Sequence, residues 1–179
     1  GDVYKRQIPL MISGGFHVDG YMDTMDAFHS YQSREKKLEI LKDSHIGAFA
    51  AIMLALYYMI DIAAISEIHT QKAVSAVAAV FFLARCFSGI AVMTLQPAKK
   101  EGLLYTFASS AQKVRVKAAL YFQAALCVAI MLLVSGWYGA AAIGAALLSF
   151  FYFKKKSYKE LGGITGDTVS YTHLTLPTN

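Results

Sequence analysis

From Ala118 to Phe153 the chain runs for 36 residues without one Asp, Glu, Lys or Arg. A hydrocarbon core of about 30 Å takes roughly 20 helical residues at 1.5 Å each, so this run is too long for one crossing and suits two. Its centre, Ser135-Gly136-Trp137-Tyr138-Gly139, sets two glycines around an aromatic pair, as a tight hairpin at a membrane surface requires. The pattern predicts spans over 118–135 and 137–153. Two further stretches predict two more: 46–66, whose one charge is Asp61, and 73–96, whose one charge is Arg85. Composition agrees, since 56% of the 179 residues are hydrophobic and only 16% charged, where soluble domains carry about a quarter. Such figures exclude disorder, and two cysteines, Cys86 and Cys127, both in apolar runs, exclude a disulfide-stapled secreted module. The expected fold is all-α: a polytopic membrane helix bundle of about four full spans, plus a truncated upstream one ending in the apolar residues 8–13.

The formal net charge of +5 belongs to the connections, which argues against nucleic acid as a partner. Four basic residues fall in 34–42, five in 99–117 and four in 154–159, whereas 67–72 holds only Lys72 and the Gly136 hairpin none. Basic and non-basic connections thus alternate, which predicts that the basic ones face the cytoplasm. Residues 8–168 read as a single integral membrane domain. The polar ends, 1–7 and 169–179, look like read-through tails that are not native, so His173 is given no chemistry.

The segment Gly14-Gly15-Phe16-His17-Val18-Asp19-Gly20-Tyr21-Met22-Asp23-Thr24-Met25-Asp26 carries three of the chain's 12 acids within eight residues. On a helix, Asp19, Asp23 and Asp26 point within about 60° of each other, since each residue turns by about 100°. Like charges at i, i+4 repel, and desolvation at a membrane edge adds to the cost, so a cation is expected there. Hard carboxylate oxygens suit Mg²⁺, or Mn²⁺, which keep water and hold a substrate's phosphates. The competing reading is an acidic, solvated helix face. Gly14 and Gly15 either break the chain after a span or let backbone amides approach an anion.

This segment resembles the G-G-x-H-x-D-G-x-x-D-T-x-D signature of the cobalamin synthase (adenosylcobinamide-GDP ribazoletransferase) family. The likeness continues through Arg34 to Phe49 with its Lys42-Asp43-Ser44, and through Ala84-Arg85, Gln96-Pro-Ala-Lys-Lys-Glu-Gly-Leu103 and Leu161-Gly-Gly-Ile-Thr-Gly-Asp-Thr168. It covers about 155 residues and makes the chain look like an internal fragment. The resemblance implies transfer of a phosphoryl group: adenosylcobinamide-GDP joins α-ribazole or its 5′-phosphate, and GMP leaves. It implies Asp19, Asp23 and Asp26 as metal ligands, with one of them, or His17, accepting the hydroxyl proton. It further implies an enzyme of the bacterial or archaeal cytoplasmic membrane with its site toward the cytoplasm.

The remaining candidates each have a rival reading. Asp43 is either a further ligand or the cap of the span that follows it. Arg85, ionisable and mid-span, meets phosphate or pairs with an Asp such as Asp61. His17 is a base, a donor to phosphate or a packing residue, while His29, His45 and His69 read as surface residues. Gly163, Thr165, Gly166 and Asp167 wrap phosphate or ribose, or form a plain glycine turn. Two other function classes fit less well. A CDP-alcohol phosphotransferase would want D-G-x-x-A-R, where this chain has Asp19-Gly20-Tyr-Met-Asp-Thr. A transporter component would leave the acidic helix unexplained.

Overall fold

A computed structural model describes residues 15–43, 45–100, 103–109 and 113–175. Their regular structure is helical: α1 (Phe16–His29), α2 (Arg34–Ile40), α3 (Ala48–Ser66), α4 (Gln71–Thr94), α5 (Leu103–Ala108), α6 (Lys113–Ser135), α7 (Trp137–Leu161) and α8 (Gly166–Thr175). One isolated parallel bridge joins Pro97 to Ile164. The all-helical bundle expected from the apolar runs is what the chain forms.

Among the described residues, three helices are long and apolar enough to cross a membrane: α3, α4 and, from Val114, α6. The expected span over 137–153 is the first part of α7, which continues as one helix through Lys154, Lys155 and Lys156 to Leu161 and is not among the three. The hairpin falls where the glycines placed it, with Gly136 at φ 56 between the end of α6 and the start of α7.

Helix α4 organises the molecule. It packs against α6, α7 and α8, while α1 lies between α3 and α8 and α2 links α1 to α7. One core cluster gathers Val80, Leu83, Cys86 and Ile90 of α4 with Cys127 and Met131 of α6 and Ala146 of α7. The other joins Tyr21, Met25 and Phe28 of α1 to Ala91, Phe153, Leu161 and Ile164. Phe150 touches both clusters. Helix α3 differs from its neighbours, because Ala50 is its one buried residue and Ile52, Leu56, Met59, Ile60 and Ile62 are exposed. In lipid such a surface needs no protein cover, since acyl chains are as apolar as the side chains.

The basic connections help to close the bundle at one end. Lys37 of α2 is buried and forms an ion pair with Glu160 of α7, which also meets Lys156 at 3.4 Å. Lys156 lies over the ring of Phe28, 5.6 Å from its centroid, so its charge also tethers α1. Helix α8 continues past 168 through Thr175, with Val169 packed on the α1 cluster, so the expected boundary at 168 falls inside a helix.

Candidate active site

The acidic motif forms the first three turns of α1, as its spacing predicts. Its three carboxylates nevertheless do different things. Asp26 accepts from the backbone N–H of Gly47 at 2.7 Å and of Ala50 at 2.8 Å, one bond to each oxygen. Helix α3 has no side-chain cap of its own at Gly47, so Asp26 supplies that cap from another helix, where a negative charge also meets the positive end of the helix dipole. Asp19 is exposed and Asp23 half-buried. Burial, then the charges of Asp19, Asp167 and Asp26, push the Asp23 carboxyl up to about 6.

Asp167 arrives from the other end of the chain. Gly20 makes this possible: a Cβ there would lie 2.6 Å from the Ser170 Cβ and 3.2 Å from the Asp167 Cα, so only glycine lets α8 approach α1 so closely. Burial raises the Asp167 carboxyl, its own backbone N–H and Lys99 pull it back, and Asp19 pushes it up again. Thr165 and Thr168 start α8 with a reciprocal cap: the Thr168 N–H donates to Thr165 Oγ1 at 3.2 Å and the Thr165 N–H to Thr168 Oγ1 at 2.8 Å. Thr165 is therefore buried in a helix cap rather than open to a ligand. Gly163 is also committed, since a Cβ on it would sit 2.5 Å from the Gln96 carbonyl oxygen. Gly15 and Gly166, by contrast, each face open space at the start of a helix. Gly14 lies outside the described residues.

Arg85 reaches His17, at the start of the acidic helix, from the middle of α4. Its Nη1 donates to His17 Nε2 at 2.7 Å, so that nitrogen is an acceptor and the ring neutral. Burial and the Arg85 charge together hold His17 below its ordinary range. Asp43 lies elsewhere, exposed on the α2–α3 loop. There it accepts from the His45 N–H at 3.1 Å and faces His45 Nδ1 at 2.5 Å, and the helix it was expected to cap is capped by Asp26. His29 is less free than a surface residue, its Nδ1 2.9 Å from the Met25 carbonyl and its ring stacked on Phe49.

The site thus has three acids on two touching helices, with Lys99 felt at Asp167 and Arg85 held on His17 of the same acidic helix. Among the described residues no three His, Cys, Asp or Glu side chains cluster as a ready metal cage. The donor set still fits Mg²⁺, which takes one or two carboxylates and fills its octahedron with water and phosphate oxygens, and crowded acids that raise one another's proton affinity are what a dication relieves. Lys99 was missed among the candidate residues. Its signal was present in Gln96-Pro97-Ala98-Lys99-Lys100, yet only the fold shows which lysine turns toward Asp167.

A family profile described as cobalamin-5-phosphate synthase matches residues 7–174. A protein of Lachnoclostridium phytofermentans named adenosylcobinamide-GDP ribazoletransferase is 43% identical over 164 residues, 92% of this chain and 62% of that relative. Proteins of the same name from Clostridium botulinum and Escherichia coli are 30% and 29% identical over 169 residues, 66% and 67% of their lengths. The chain therefore spans just under two thirds of the first of these relatives. No solved structure matches it significantly. Because the match runs from before the acidic helix to within α8, it takes in both halves of the carboxylate site, and the chain belongs to the cobalamin-5-phosphate synthase family.

Proposed function

We propose that this chain carries the catalytic centre of an adenosylcobinamide-GDP ribazoletransferase, joining adenosylcobinamide-GDP to α-ribazole or its 5′-phosphate with release of GMP. The observation that carries the reading is the approach of Asp167 to Asp19 and Asp23 across Gly20, on the helix whose His17 accepts from Arg85. A ribazole hydroxyl forms a bond to the phosphorus attached to cobinamide, and the bond from that phosphorus to the GMP oxygen breaks. Asp19 and Asp167 would hold Mg²⁺, or Mn²⁺, which supplies charge neutralisation on the diphosphate. The Asp23 carboxylate, with a proton affinity raised toward neutrality, takes the hydroxyl proton. Asp26 anchors α1 on α3 and so fixes the angle at which the other acids of α1 face α8. His17 holds Arg85 in place, with its Nε2 lone pair already engaged.

The reading places the protein in the cytoplasmic membrane with the site toward the cytoplasm, as the distribution of lysines and the water-soluble substrates both favour. The test uses membranes carrying this chain, in parallel with a version extended to the length of the Lachnoclostridium relative. Supplied with adenosylcobinamide-GDP, α-ribazole and Mg²⁺, they are expected to yield equal amounts of GMP and cobamide. Release of GMP without cobamide, or neither product from the extended version, would overturn the assignment.

A further inference from the structure

The two ends of the site lie at different depths. His17 and Asp26 are nine residues apart on α1, and Arg85 and Thr94 nine apart on α4. Read along either helix, the His17–Arg85 contact is about 14 Å from the end where Asp26 caps α3 and α4 gives way to Lys99 and Lys100. Arg85, exposed on α4 and held on His17, is therefore a cation far from the basic end. A dianionic substrate approaching from the basic end keeps part of its charge near that end.

The basic end has its own cation near Asp167. The Ala98 N–H donates to the Ile164 carbonyl at 2.8 Å and the Ile164 N–H to the Gln96 carbonyl at 3.0 Å, so the loop after α4 is fastened three residues before Asp167. Gln96 N–H also donates to the Tyr158 hydroxyl at 2.8 Å. This brace directs Lys99 inward, half-buried, with Nζ 2.9 Å from the Leu38 carbonyl and its charge felt at Asp167. Lys100, next in sequence, is exposed.

We propose that Lys99 is a phosphate-binding residue of this site, holding the phosphate of the departing guanylate at the basic end. This assignment rests on the proposed reaction for the identity of the nucleotide, and on the fold alone for the phosphate. A lysine ammonium suits the task, because it is a compact charge with three rotatable donors. Charge that develops on the leaving oxygen then meets a fixed cation.

The test measures binding to the detergent-solubilised full chain with Mg²⁺, using GMP, guanosine and inorganic pyrophosphate as probes. In Lys99→Met, GMP and pyrophosphate are expected to bind at least tenfold more weakly, with guanosine unchanged. Lys100→Met is expected to match the wild type. In the wild type itself, pyrophosphate should protect Lys99 but not Lys100 from an amine-acylating reagent mapped by mass spectrometry, a readout that needs no variant to fold. Unchanged phosphate binding in Lys99→Met, or no protection of Lys99, overturns the role and leaves the reaction standing. If pyrophosphate binding depends on Lys99 but GMP does not bind at all, the phosphate site stands and the ribazoletransferase reading falls. Failure of the wild type to bind either phosphate probe overturns both.

Discussion

Asp23 sits half-buried among three other carboxylates, and its charge is tolerated rather than welcomed. Its carboxyl titrates at about 6 in the folded chain against 3.8 in the reference, so the folded state binds the proton more tightly than the unfolded one. The stability this contributes is full below pH about 4 and lost as pH rises through 6. In metal-free protein, Asp23→Asn is therefore expected to raise stability at pH 7 by on the order of 1 kcal/mol, once solvent screening is allowed for, and to change nothing at pH 3.5. Thermal unfolding in chelator at the two pH values measures this. The same variant should lose at least 100-fold in turnover, since it keeps the shape and loses the proton acceptor. Asp19→Asn should still insert in the membrane and should need far more Mg²⁺ for any residual GMP release. Wild-type rates in both variants would remove these residues from the chemistry.

Among the elements, α1 is the one that ties site and scaffold together. Asp26 was legible as one of an acidic trio but not as a cap, because its partners lie 21 and 24 residues away and nothing local announces them. Asp26→Ala leaves the N–H groups of Gly47 and Ala50 without that acceptor and is expected to destabilise by about 0.5–2 kcal/mol. Asp26→Asn, which keeps one acceptor oxygen, should recover part of the loss. Gly20→Val is the complementary test at the α1–α8 contact, because its side chain would collide with Ser170 and drive Asp167 away from Asp19 and Asp23. It is expected to abolish GMP release while α3, α4 and α6 remain inserted, which a protease-protection assay on membranes reports.

At the scale of the whole molecule, chemistry and topology have to agree on a side. Tyr31 and Lys155 are exposed at the basic end, and Thr70 and Trp137 are exposed at the two non-basic turns. In a chain with Cys86 and Cys127 replaced by serine, cysteines at 31 and 155 should react with a membrane-impermeant reagent only from the cytoplasmic side. Cysteines at 70 and 137 should react only from outside. Opposite sides for 31 and 155 would separate the acidic helix from the end of α7 and break the site apart.

What the sequence determined was whatever its local periodicity and composition express. Long charge-free runs made helices of membrane length, Gly136 made a hairpin, and acids at i, i+4 and i+7 made one face of α1, because each depends on neighbours within about two helical turns. The tertiary structure decided which of those acids meets Asp167 and which caps α3, that α7 is one helix from Trp137 to Leu161, and that Gly163 and Thr165 serve the scaffold while Lys99 turns toward Asp167. Each of those outcomes depends on a partner far away in sequence. A carboxylate, a glycine or a lysine takes its role from the donor, the backbone or the charge that folding brings against it.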